Sequence, residues 1–384
     1  MGAAASNNVQ ILDAIRRGRN SFSKKDLIRE TDVPWTTMCK VVDALLAKGF
    51  IFARKEAPAG RGRPVVPLCV NPESAAFIGL DVGASQTKAV ACDLAFNVVF
   101  RTSCSTPAYQ DEKTFLNWLF KLCDEIMAGS RIPKDKILGI GLSVSGNVDS
   151  ENGIIVSGGN FGMKWGACIP AAKALTERFG IPAFAMTTAA AGAWAEYQFG
   201  LKASCGNLVT VGLGVGIGSG VVSNHQLLIS QPGRPVGYIG HILAADNKNV
   251  CTCGFRGCLE SYSGGSSLAK VAKKLMPKRL ELHDARALDL AAAAGDKAAA
   301  AIMLKAASYN AVGIASMIQL YSPEALAFSG GQSRRDGFLY NATLAALDEI
   351  LPEERRKSFS ISLSPLGSEQ SALGAARLAY ERFF

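Results

Sequence analysis

Three cysteines and a histidine stand close enough in this sequence to hold one metal ion. Cys251, Cys253 and Cys258 offer three thiolates within eight residues, and His241 offers an imidazole ten residues upstream. Gly254 and Gly257 interrupt the run, and their backbone freedom lets a short loop wrap its side chains around a point. A Cys3His set completes a tetrahedron with no position left for substrate, which is the chemistry of structural zinc. The plain alternative is three buried cysteines. Clustering on a glycine-bearing loop, beside one of only three histidines in the chain, favours zinc held by His241, Cys251, Cys253 and Cys258. The other seven cysteines (Cys39, Cys69, Cys92, Cys104, Cys123, Cys168 and Cys205) are scattered singly, as reduced core residues are, and no disulfide is expected.

The full spacing, His-x9-Cys-x-Cys-Gly-x-x-Gly-Cys-Leu-Glu, resembles the signature of the ROK family of sugar kinases and sugar-responsive repressors. Further stretches agree with it, so that the resemblance covers about residues 10 to 384. It implies a two-lobed, actin-like ATPase fold in which the strand-turn-strand around Asp81, Gly83, Ser85 and Thr87 is the first phosphate loop. Residues 207–222 would be the second, and Ala327-Phe-Ser-Gly-Gly-Gln-Ser the turn beneath an adenosine. It also implies sugar contacts at Asn160 in Ser157-Gly-Gly-Asn-Phe161, at His241 and at Glu260.

Where kinases of the family carry an Asn-Asp pair, counting back from Glu196 sets Thr187 at the Asn and Thr188 at the catalytic Asp. A Thr hydroxyl cannot accept a sugar proton at neutral pH, and losing a positioned base typically costs about 10²- to 10⁴-fold in rate. Val215 replaces a Thr of the second phosphate loop, and Tyr238 replaces a Glu that would hold sugar hydroxyls. The chain is therefore expected not to be an enzyme and not to need ATP.

These residues need elements to hold them. At 384 residues and 48% hydrophobic content the chain can fill two or three cores. Val9 to Arg17 places Ile11, Leu12 and Ile15 on one helical face, and Gly18 stops it. Ser23 followed by Asp26 is an N-cap pair for a second helix, and Thr31-Asp-Val-Pro34 turns into a third from about Trp35 to Ala47. That pattern is a helix-turn-helix, with Trp35, Thr36, Thr37 and Lys40 set to face a DNA major groove. Two strand-like segments then flank Gly60-Arg-Gly-Arg-Pro64, where Arg61 and Arg63 would reach phosphate or the minor groove. A solvated linker is the alternative, but the same segment resembles the one that follows the winged helix in the family's xylose and N-acetylglucosamine repressors.

Residues 1–67 carry twelve Lys or Arg against six acids, which is +6 of the chain's +9. The fold class is thus α/β: a winged helix-turn-helix over residues 1–70, then a ROK body over 74–384. Lobe 1 takes about 74–190 with a returning helix at 367–384, and lobe 2 takes 191–366 with the zinc loop at 241–260. No signal peptide opens the sequence, so the expected location is the cytoplasm, with no membrane partner. The function that follows is a DNA-binding regulator, a repressor, acting as a homodimer or higher oligomer on an inverted repeat, with a sugar or sugar phosphate as candidate effector. The competing readings are an ATP-dependent sugar kinase with a regulatory head and a ligand-independent regulator with a vestigial sugar site.

Overall fold

A computed structural model describes residues 6–54, 66–108, 111–158, 168–201, 203–229, 236–244 and 248–384. Arg61, Arg63 and Asn160 lie outside these described residues.

The chain opens with three helices, α1 (Asn7–Arg17), α2 (Lys24–Glu30) and α3 (Trp35–Ala47), followed by the antiparallel strands β1 (Ile51–Ala53) and β2 (Leu68–Val70). Ser6 caps α1 by accepting from the Val9 amide at 3.3 Å. At Ser23 the amide donates to Asp26 Oδ2 at 2.9 Å and the hydroxyl donates to the same oxygen at 2.7 Å, which starts α2. The α3 helix buries Met38, Val42 and Leu45 against Leu27 and the apolar side of α1.

Two five-stranded sheets built on one plan form the body. In the first, β3 (Ala76–Val82), β4 (Gln86–Asp93) and β5 (Val98–Ser105) make an antiparallel meander, and β6 (Ile137–Val144) and β9 (Ala183–Thr187) extend it in parallel. Helix α4 (Glu112–Ser130) covers it with Phe115, Leu119, Leu122 and Ile126. A small hairpin, β7 (Asn147–Asp149) and β8 (Ile154–Ser157), leads to α5 (Ala171–Phe179). After α6 (Thr188–Ala195) the second sheet repeats the scheme: β10 (Leu208–Leu213), β11 (Ile217–Ser223) and β12 (Gln226–Leu227) are antiparallel, and β13 (Ala325–Ser329) and β14 (Ser360–Leu363) are parallel additions. Around it lie α7 (Glu260–Ser263), α8 (Gly265–Leu275), α9 (Ala285–Ala293), α10 (Lys297–Tyr321), α11 (Phe338–Ile350) and α12 (Glu353–Lys357), and α13 (Gln370–Phe383) returns to the first sheet.

Helices α6 and α13 cross between the sheets, α13 against β3 and β6 and α6 against β11. The fit needs glycine. A Cβ on Gly141 would stand 1.7 Å from the Ala375 carbonyl oxygen, and one on Gly374 would stand 1.8 Å from that of Ala191.

The apolar spacing of residues 296–321 predicts a helix that packs behind a sheet through residues including Leu304 and Val312, and for those two the reading needs correction. They are 55% and 42% exposed, because the buried stripe of α10 runs through Met303, Ala307, Ile314 and Ile318 instead. Among the described helices α10 is long and apolar enough to cross a bilayer by length and composition, but that stripe lies in the body's core.

Candidate metal centre and interlobe cleft

The metal candidates sit on the loop between β12 and α7. Gly254 and Gly257 take φ of +92° and +83°, a left-handed backbone that other residues resist, and the Cys251 amide donates to the Phe255 carbonyl at 2.8 Å to close the turn. The four donor atoms of His241, Cys251, Cys253 and Cys258 all lie within 4.8 Å of one another. Cys253 Sγ is 3.7 Å from Cys258 Sγ, and Cys251 Sγ is 3.6 Å from His241 Nδ1. A tetrahedral ion with bonds of about 2.3 Å to sulfur holds those sulfurs about 3.7 to 3.8 Å apart, so the spacing is that of a coordination shell. Burial, with the neighbouring thiols adding to it, pushes Cys258 up to about 12 and Cys251 above its ordinary value. Two such thiols do not ionise side by side unless a cation joins them.

The loop borders a cleft of about 1530 Å³ between the two sheets. On the first sheet's side stands Asp81, buried at the end of β3. Ser143 Oγ donates to its Oδ1 at 2.8 Å and Thr188 Oγ1 donates to the same oxygen at 3.1 Å. Burial raises the Asp81 pKa, and these two bonds only partly oppose it. Thr188 thus spends its proton on an internal carboxylate. Thr187 caps α6, accepting from the Ala190 amide at 3.2 Å. Asp81 and Thr87 flank the first turn rather than sitting in it; the turn itself is Gly83 to Ser85.

From the second sheet's side come Val215, 42% exposed at the tip of the β10–β11 hairpin, and Glu260, whose Oε2 accepts from the Ile217 amide at 2.7 Å and so braces that hairpin. Gly330, with φ of +90°, turns the chain after β13 where a Cβ would meet the Leu213 carbonyl oxygen at 2.3 Å. Tyr238 crosses the cleft. Its hydroxyl donates to the Gly146 carbonyl at 2.8 Å, and its ring stacks on His241 with centroids 5.5 Å apart. Burial pushes the phenol up to about 12, so it stays a donor. This bridge from the metal loop to the first sheet was not read from the sequence, where Tyr238 registers only as a lost carboxylate.

On α3, Trp35, Thr36 and Lys40 are exposed and Thr37 is half-buried, all within the first two turns. Helix α1 is buried on opposite sides, through Val9, Ile11, Leu12, Asp13, Ala14 and Ile15. One side meets α3 and β2, and Asp13 meets α13.

Comparison with known proteins places this architecture. The chain is 26% identical to the xylose repressor of Caldicellulosiruptor bescii over 364 residues, covering 92% of this chain and 88% of that protein. It is 26% identical to the glucokinase of Thermotoga maritima over 317 residues, covering 80% of this chain and 98% of the glucokinase. Among solved structures, a ROK family transcriptional regulator described as a homologue of the E. coli MLC protein superposes with a TM-score of 0.80 at 21% identity, covering 98% of this chain and 97% of that one. The ROK family model matches residues 77–382, which span the two sheets, the cleft and the metal loop, and the chain belongs to the ROK family.

Proposed function

We propose that the protein is a DNA-binding transcriptional regulator, a repressor of carbohydrate-related genes, whose ROK body pairs with a second copy and senses a sugar or sugar phosphate. The observation that carries this is the occupied base position: the Thr188 hydroxyl is bonded to Asp81, and no carboxylate stands in its place to take a proton from a sugar. The relatives support it, since the repressor match reaches further along this chain than the glucokinase match does.

The N-terminal unit is a winged helix-turn-helix. Trp35, Thr36, Thr37 and Lys40 enter the major groove, while Arg61 and Arg63 on the β1–β2 connection meet phosphate or the minor groove. Pairing doubles a site that one recognition helix reads only in part, and Leu304 and Val312, exposed on α10, give apolar surface for assembly. His241, Cys251, Cys253 and Cys258 hold a structural zinc, which neutralises the crowded thiolates and fixes the loop from which Tyr238 and Glu260 face the cleft. His241, Glu260 and Asn160 are the candidate effector contacts. The domain limits are 1–70 for the head and 74–384 for the body, and the protein works in the cytoplasm.

The test is selection of bound duplexes from a random pool, repeated with a panel of sugars and sugar phosphates, beside a coupled ATPase assay. An inverted repeat should be enriched. Lys40→Ala should weaken binding and, as a phosphate contact, lower the salt slope by about one. No enriched duplex, together with sugar-dependent turnover above about 1 s⁻¹, would return the chain to the kinases.

A further inference from the structure

Helix α1 is sandwiched. A helix buried around most of its circumference belongs to two packing partners at once, and α1 serves the three-helix head on one side and α13 of the body on the other. The head and body share a single hydrophobic core, in which Ile11, Ile15, Met38 and Val42 lie with Phe77, Ala372, Ala376 and Tyr380.

Inside that core sits a charged network joining residues 364 positions apart. Arg377 and Asp13 are only 1% and 6% exposed. The guanidinium grips the carboxylate with both forks: Nη1 donates to Oδ1 at 2.7 Å and Nη2 donates to Oδ2. Tyr380 Oη donates to Oδ1 at 3.3 Å, and Arg16 Nη2 donates to it at 3.1 Å. On its far side Arg377 Nε donates to Glu381 Oε1 at 2.6 Å, which also accepts from Trp194 Nε1 at 2.9 Å. Burial alone would raise Asp13, and the guanidiniums of Arg377 and Arg16 more than offset it, so the pair stays charged. At the edge of the same joint, Ser6 Oγ and Asn8 Nδ2 donate to the Phe384 carbonyl at 2.8 and 3.0 Å.

We propose that Asp13 and Arg377 are positioning residues for DNA recognition: their buried pair fixes the direction in which the head leaves the body, an inference that rests on the DNA-binding role proposed above. Apolar surfaces slide over one another at little cost, whereas a bidentate Arg–carboxylate pair has one geometry. A buried ion pair adds little stability over an apolar replacement of equal volume, so its value here is orientation. Orientation matters because the two recognition helices of a dimer must meet half-sites about one helical turn apart. The other end of α13 reaches the cleft, where Gln370 and Ser371 line the wall and Ser371 Oγ donates to the Thr188 carbonyl at 3.2 Å. Six residues of helix, about 9 Å, therefore separate Ser371 on the cleft wall from Arg377 at the head's anchor.

The variant that tests this is Asp13→Leu with Arg377→Met in the full chain, which puts apolar side chains of like branching and length in place of the pair and removes the fork. The probes are the selected duplex, the same duplex with its half-sites moved apart by five base pairs, and a single half-site. The unmodified protein should lose at least about tenfold in affinity when the spacing shifts by half a helical turn. The variant should lose less than about threefold and match the unmodified protein on the single half-site. An unchanged spacing dependence in the variant overturns the proposal. Asp13→Asn with Arg377→Gln repeats the measurement with a neutral pair if the first variant does not fold. Calorimetry separates the joint from the DNA reading. The unmodified protein should unfold head and body together, and so should the variant, whose apolar pair keeps the shared core and removes only the fork. If the unmodified protein selects no duplex, the DNA reading fails; if its head already unfolds on its own, the joint fails.

Discussion

The metal loop and the base position border the same cleft and have fared in opposite ways. At the loop all four donors remain, within 4.8 Å of one another, and glycines supply the backbone they need. At the start of α6 the position of a proton acceptor holds a donor, and that donor is already bonded to Asp81. On the regulator reading proposed above, what shapes the cleft is kept and what would move a proton through it is given up. Shape and chemistry are separable properties of a cleft, and a regulator needs only the first.

Removing the metal should break the comparison most severely. Cys253→Ser, or prolonged chelation of the unmodified protein, should abolish stoichiometric zinc and lower the thermal midpoint by about 10 °C or more, since a structural zinc contributes several kcal/mol and each moves a domain of this size by about 2 to 4 °C. Elemental analysis and a melting curve check it, and an unchanged midpoint in zinc-free protein would reduce the loop to ordinary packing.

Restoring the carboxylate with Thr188→Asp should not restore catalysis. It would set a second carboxylate beside Asp81, where Thr188 Oγ1 now stands 3.1 Å from it, and two such groups share one proton rather than both ionising. Asp81 already has a raised pKa in the fold because it is buried, so the stability linked to its proton is full below the ordinary value of 3.8 and fades as pH rises through the folded value. The added carboxylate should carry that window upward. The variant is expected to lose about 1 to 3 kcal/mol more at pH 8 than at pH 5, read from denaturant midpoints, with sugar-dependent ATP turnover still below about 1 s⁻¹. Turnover in the variant would show that the cleft had kept more of its chemistry than its shape.

The smallest effect sharpens the comparison. Tyr238→Phe removes one hydroxyl and with it the 2.8 Å bond to the Gly146 carbonyl, a net loss of about 0.5 to 1.5 kcal/mol. Amide exchange in the β6–β7 turn should quicken while the metal content stays the same. Equal exchange in both proteins would mean that the tyrosine does not hold the lobes.

Much of this was legible because it is local. The Ser23–Asp26 cap and the Thr31–Pro34 turn are patterns within a few residues, and the structure gives the helix that follows the limits read from them, Trp35–Ala47. Cysteine spacing brought the metal loop into view, since three of its four donors lie within eight residues. Leu304 and Val312 misled because an alanine-rich helix has two apolar faces, and periodicity alone does not say which of them meets the core. The Tyr238–Gly146 bridge and the Asp13–Arg377 pair were invisible, being contacts between distant segments. An aspartate in the middle of the apolar α1 was the one local sign of the second.

The clasp between α1 and α13 also bears on time. The chain is made from its N-terminus, and the head's first helix emerges 364 residues before Arg377, which will pair with Asp13. Until α13 follows, Val9, Ile11 and Ile15 lack part of their cover and the Asp13 carboxylate lacks its cation. A chain cut short before α13 would keep all three helices of its head and still lack the helix that α1 packs on. Until α13 has been made, the far half of the joint is missing, so the packing of the head waits on the body.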